Sequence, residues 1–168
     1  SGYENWIGTD VGASMVDKAT SAYCRIPFDY DGAEVFDKLL LRMRYDDGFI
    51  AYLNGSMVYR TTNITSDTPP SASAANHEAG SPYEEFDITS HLDKLVVGAN
   101  ILAIHGINYS TTSSDFLVQP VLTGQALDTN PGTDPVWYTM DGTDPRAPGG
   151  SPNPGALEYS EPISLTQS

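Results

Sequence analysis

Ten tyrosines and two tryptophans in a chain of 168 residues supply flat faces of the kind that stack on pyranose rings, with nearby amides and carboxylates to fix the hydroxyls. Trp6 near the amino end, Tyr83 beside a long polar loop, and Tyr109 in the stretch NYSTTSSD fall where the chain turns. Loops expose side chains that strands would bury, so these three rings are the expected stacking residues. Asn108 and Asp115 bound the same NYSTTSSD stretch and are the expected partners for sugar hydroxyls. Trp137 lies in a strand-like VWYT run, where a core role is expected.

Bond-breaking chemistry is poorly supplied. His77, His91 and His105 are scattered, and none has a second ligand at zinc-site spacing. No GxSxG elbow, phosphate loop or dinucleotide fingerprint occurs. Asp46-Asp47 and Glu84-Glu85 are adjacent pairs in an acid-rich chain and alone are no evidence for glycosidase chemistry; neighbours on a strand point to opposite faces, which further weakens either pair as a general acid and nucleophile. The chain is expected not to be an enzyme. His105 continues the Ile101-Ala103 face and reads as a hydrogen-bonded core histidine. Cys24, the single cysteine, alternates with Ala22, Ile26 and Phe28 and reads as a buried, inert thiol.

Oxygen-rich turns leave a cation open. Calcium takes roughly six to eight oxygens from carboxylates, carbonyls and amides. Asp29-x-Asp31-Gly32, Asp46-Asp47-Gly48 and Asp115 offer them, without completing a helix-flanked calcium loop. Asp46 and Asp47 are the candidate metal ligands. The other reading is that they accept backbone N–H bonds in their own turn.

The elements that must position these residues are strands. In YDDGFIAYLNGSMVYR, Tyr45 to Arg60, an alternating run leads into Asn54-Gly55 and out again. Asn-Gly between such runs signals a type I′ hairpin, since both residues tolerate positive φ. Phe49, Ala51 and Leu53 share one face, and Ile50, Tyr52 and Asn54 the other. Further strands are expected at Ala22–Phe28, Lys38–Tyr45, Met57–Thr61, Glu85–Ile88, Asn100–Ile107 and Asp115–Leu122. In Lys38–Tyr45, Leu39, Leu41, Met43 and Tyr45 face inward, and Arg42 and Arg44 outward. Seven short strands between turn signals imply an all-β fold, a two-sheet antiparallel sandwich. Thr65 to Ser81, TSDTPPSASAANHEAGS, reads as a long functional or disordered loop.

Eight basic against twenty-two acidic residues give a formal net charge of −14. No positive stripe for nucleic acid can be built from so few cations, and anionic membrane surfaces are disfavoured equally. No apolar run approaches the length of a membrane span. Ser1-Gly2 reads as an expression scar. A neutral polymer remains a compatible partner.

Four stretches carry a resemblance: IGTDV with SAYCRIPF, the DDG…YLNG hairpin, GANILAIHGIN and SSDFLVQPVLTG. Together they are similar to the jelly-roll modules of the galactose-binding-like class that accompany glycoside hydrolases and other large secreted bacterial proteins. The match spans residues 3–124. After a linker-like QALDTNPGTD, the segment VWYTMDGTDPRAPGG resembles part of the chitobiase/β-hexosaminidase C-terminal type of β domain, with a hairpin turn at Asp141-Gly142; residues 125–168 form this second region. The resemblance implies a non-catalytic carbohydrate-binding module, secreted or cell-surface, that holds a larger protein on polysaccharide or oligosaccharide beside that protein's other domains. It implies no required cofactor and a structural calcium near a strand end. The alternative is a structural spacer without sugar affinity.

Overall fold

Period-two alternation converts nearly half of the first 126 residues into strand in the computed structural model, which describes residues 3–69, 71–126 and 135–160. The strands are β1 (Ser21–Tyr30), β2 (Phe36–Asp46), β3 (Gly48–Leu53), β4 (Ser56–Arg60), β5 (Ile64–Ser66), β6 (Ser73–Ala74), β7 (Glu84–Asp87), β8 (Gly98–Ile107) and β9 (Leu117–Ala126). A one-turn helix, α1 (Gly12–Met15), precedes them, and a 3₁₀ helix spans Thr89–Lys94. The chain divides into two units, Ser1–Leu127 and Asp128–Ser168.

Two antiparallel sheets, β1-β8-β3-β4 and β7-β2-β9, make a sandwich. Leu39, Leu41, Met43 and Tyr45 of β2 meet Phe49, Ala51 and Leu53 of β3 and Leu102 and Ile104 of β8 in one buried cluster. The inward and outward rows expected for β2 and β3 are therefore correct, and hydrophobic burial between the sheets fixes their register. The β3–β4 hairpin turns at Asn54, φ 50°, and Gly55, φ 82°. The Asn54 side chain locks that turn: its Nδ2 donates to the Lys94 carbonyl and to Asn100 Oδ1, and its Oδ1 accepts from the Ile101 N–H.

The 65–81 stretch departs from its expected loop character. Ile64 pairs with Ala74 and Ser66 with Ser73, and this small ladder covers the outer face of β3. Ile64, Ala72 and Ala74 bury Ile50 and Ile107 in a second cluster. The packing is tight because its residues are small: a Cβ on Gly48 would lie 2.8 Å from that of Ala74. Alanine and serine carry little hydrophobic signal, so the sequence reads there as loop.

Among the described residues, strands β1 and β9 are edges, each hydrogen-bonded on one side only. Each carries a proline, Pro27 and Pro120. Cys24 corrects the sequence reading: it is exposed. It shares its row with Ala22 as alternation requires, but that row runs along an open cleft at the sheet edge, and no strand of the second sheet covers it there.

In the second unit, β10 (Trp137–Tyr138) pairs with β11 (Leu157–Glu158), and Trp137 is half-buried. The pairing is not the hairpin expected around Asp141-Gly142. The Asp141 carboxylate accepts both the backbone N–H and the hydroxyl of Thr143, which closes a local turn, and the partner strand comes from beyond the proline- and glycine-rich stretch. Residues 127–134 of the expected linker and residues 161–168 lie outside the described residues.

Candidate functional site

A groove of about 600 Å³ lies where the amino-terminal segment, β1 and β9 meet. Its position follows from the open sheet edge. The segment before β1 is tied across by Asp17 N–H to the Thr111 carbonyl and by Asn108 N–H to the Thr20 carbonyl, at 2.8 and 2.7 Å. Buried Met15 anchors α1 at the same place. Trp6, Tyr23, Asn108, Ser113, Asp115 and Gln119 are among its lining residues. A second, apolar cleft of about 360 Å³ continues along the same edge beside Ile26, Phe28 and Leu122.

Three of the five expected ligand residues, Trp6, Asn108 and Asp115, share the groove, and Tyr109, 58% exposed, follows Asn108 directly. Asn108 itself is buried: its Nδ2 donates to the Asp115 carbonyl and its Oδ1 accepts from the Tyr109 N–H. Ser113 Oγ donates to Asp115 Oδ1 at 3.3 Å. Tyr83 is not among the groove residues. The Arg44 guanidinium lies 4.5 Å from the Trp6 ring and 4.3 Å from the Tyr83 ring, and Arg42 lies 5.2 Å from Tyr83. Trp6 also stacks on Tyr3 at 5.7 Å. Alternation along β2 places Arg42 and Arg44 outward; nothing in the sequence flags the rings they meet.

Asp46 and Asp47, joined by a cis peptide, are both buried and have different roles. Asp47 Oδ1 accepts the His77 N–H at 2.8 Å and its Oδ2 the Tyr109 N–H at 2.6 Å. It does accept backbone donors, though from two distant loops rather than from its own turn, and so it latches both loops to the end of β2. Asp46 Oδ2 accepts the Tyr3 hydroxyl at 2.8 Å, and Oδ1 has no partner. Burial, with the charges of Asp47, Asp115 and Glu78, pushes the Asp46 carboxyl up to about 7, although the Tyr3 hydrogen bond pulls the other way. Burial and the Asp46 bond in turn raise the Tyr3 hydroxyl well above its usual range. Glu78 and Asp115 approach Asp46 closely enough for one oxygen of each to share a cation; the sequence had suggested Asp46 with Asp47 instead.

His105 is buried as expected, stacked on Tyr23 at 4.2 Å, but its Nε2 has no hydrogen-bond partner. Desolvation holds its pKa below the ordinary histidine value. His77 sits elsewhere, with Nε2 2.8 Å from Glu84 and its ring flat against Tyr45 at 4.2 Å.

The fold is an antiparallel β-sandwich, and no helix among the described residues is long and apolar enough to cross a membrane. No family model matches the sequence, and no curated protein matches it. Among solved structures it is similar to the β-D-mannosidase of Dictyoglomus thermophilum, at 20% identity and a TM-score of 0.35. The likeness covers 52% of this chain and 9% of the mannosidase, so the chain spans a small fraction of that protein's length.

Proposed function

We propose that the sandwich is a non-catalytic carbohydrate-binding module of a secreted or cell-surface protein, and that it holds polysaccharide in the groove beside β1 and β9. The observation that carries the reading is the convergence of Trp6, Asn108 and Asp115 on one groove that also presents Ser113, Gln119 and the Tyr23 ring. Such a site joins an aromatic surface for stacking to hydroxyl, amide and carboxylate groups for the sugar's own hydroxyls. The acid excess, −14 overall, favours a neutral polymer over an anionic one. Two stacked rings and a few hydrogen bonds give roughly 4–6 kcal/mol, or dissociation constants of about millimolar to tens of micromolar.

Affinity electrophoresis in gels of plant, algal and microbial polysaccharides tests this. At least one polymer is expected to retard the protein without releasing new reducing ends, and Trp6→Ala and Gln119→Ala are expected to weaken that retardation with the circular dichroism unchanged. If no polysaccharide retards the wild type, the groove is not a sugar site. One observation favours a spacer in that event: Trp6 and Tyr83 already hold the Arg44 guanidinium between them, which leaves less ring surface for a ligand.

A further inference from the structure

A glutamine side chain can turn either its oxygen or its NH2 toward a ligand, because the two ends of the amide are nearly the same shape. At Gln119, which lines the groove, the choice is fixed from outside it. Register pairs Gln119 of β9 with Arg44 of β2, so both side chains stand on the outer face of their sheet, away from buried Leu41 and Met43. Arg44 Nη1 donates to Gln119 Oε1 at 3.2 Å. A guanidinium has donors and no acceptor, so the amide oxygen has to face it. Nε2, with its two hydrogens, is the end turned away from Arg44.

Arg44 is itself held from several directions. Its Nε donates to the Ser81 carbonyl at 2.8 Å, and its guanidinium lies 4.5 Å from the Trp6 ring and 4.3 Å from the Tyr83 ring. A planar fork with two directed bonds and two ring contacts cannot turn without breaking them, so the Gln119 oxygen is pinned. A lysine would keep a charge beside the rings, but as a point charge on a flexible stem it would not reproduce both directed bonds. The groove's other amide is spent on the backbone: Asn108 Nδ2 donates to the Asp115 carbonyl, and its Oδ1 accepts the Tyr109 N–H. Gln119 is therefore the amide that the groove can offer, as a donor, while the ionised Asp115 carboxylate can only accept. A sugar hydroxyl both donates and accepts, and meets either group.

We propose that Arg44, which is not itself a groove residue, is the positioning residue of the groove: it fixes the Gln119 amide so that Nε2 donates to the sugar oxygens. This assignment rests on the reading of the groove as a sugar site.

The test uses the full chain in affinity gels of a plant, algal and microbial panel that includes galactomannan, xylan, laminarin and pullulan, with circular dichroism on every variant. Gln119→Glu separates positioning from mere support. It keeps the shape of the side chain and an oxygen facing Arg44, strengthens that contact by adding charge, and deletes both donors. It is expected to weaken retardation about fivefold or more with the melting temperature held or raised. Arg44→Lys is expected to cost a similar factor, and adding it to Gln119→Ala is expected to cost nothing beyond Gln119→Ala alone, because the two residues act as one unit. In heteronuclear NMR spectra without sugar, the Gln119 side-chain NH2 is expected to be rigid in the wild type and averaged, like that of a free glutamine, in Arg44→Lys. If the wild type is retarded and Gln119→Glu or Arg44→Lys binds as tightly, the role of Arg44 is overturned and the sugar reading stands. An NH2 signal unchanged in Arg44→Lys overturns it as well, whatever the gels show. Retardation of the wild type by none of the polymers removes the sugar site, and the positioning role with it.

Discussion

At residue scale, His105 ties stability to pH. It is 2% accessible, stacked on Tyr23, and its Nε2 has no acceptor or donor. An unfolded histidine protonates near 6.5, and desolvation places the folded one lower. As pH falls through 6.5, the unfolded chain takes up the proton first, so stability is lost on the acid side and continues to fall until the folded pKa is reached. The His105 contribution is expected to fall as pH drops through about 6.5. The buried Asp46 carboxyl, pushed up to about 7, acts in the opposite sense over the same range. The expected result is a wild-type melting temperature that drops more, or rises less, on acidification than that of His105→Gln. An equal drop in wild type and variant would show that other groups govern it. Alternation along β8 puts position 105 on the face opposite Leu102 and Ile104, in the row of exposed Ile101 and of Ile107; it does not show the missing partner at Nε2, which depends on what the neighbouring strands place opposite. The acidic triad is illegible for the same reason. Asp46 stands out in a DDG turn, but Glu78 and Asp115 are two ordinary acids among twenty-two until the fold brings them together.

Among the elements, the β5–β6 ladder tests how far a strand pair can be built without large side chains. Its contribution is to close the outer face of β3 over Ile50 and Ile107 with Ile64, Ala72 and Ala74. Gly48 is what permits that approach, since a methyl there would meet Ala74 Cβ at 2.8 Å, the Ile64 side chain at 3.2 Å and Thr61 Oγ1 at 3.2 Å. Gly48→Ala is expected to destabilise the domain by about 1–3 kcal/mol through overpacking, read from urea midpoints. Amide exchange should accelerate over residues 61–75 before it does in β2 or β8. A midpoint within error of wild type would mean that the ladder shifts freely. The large strands were readable because aliphatic residues recur every second position against charged ones, as in Leu39, Leu41 and Met43 beside Arg42 and Arg44. The β5–β6 ladder was hidden because serine and alanine suit turns, edges and tight packing alike. The β10–β11 pairing was missed because a local Asp-Gly signal outweighed a partner separated from it by a proline-rich stretch.

On the scale of the whole molecule, the sandwich leaves one long side open, between two edge strands that belong to different sheets. β1 and β9 present unpaired backbone along the groove, the arrangement by which sheets of separate molecules join into larger assemblies. Pro27 and Pro120 each remove an N–H from that margin, and a proline in a strand is tolerated only where no ladder bond is required of it. Replacing both, as Pro27→Val with Pro120→Val, is expected to restore two continuous rows of donors and to produce concentration-dependent oligomers by light scattering. A variant that stays monomeric at high concentration would show that the margin is protected by charge alone. In a polymer-binding module of the kind proposed, the two prolines would serve as insulation: they would let many copies crowd on one polymer without their sheets fusing edge to edge.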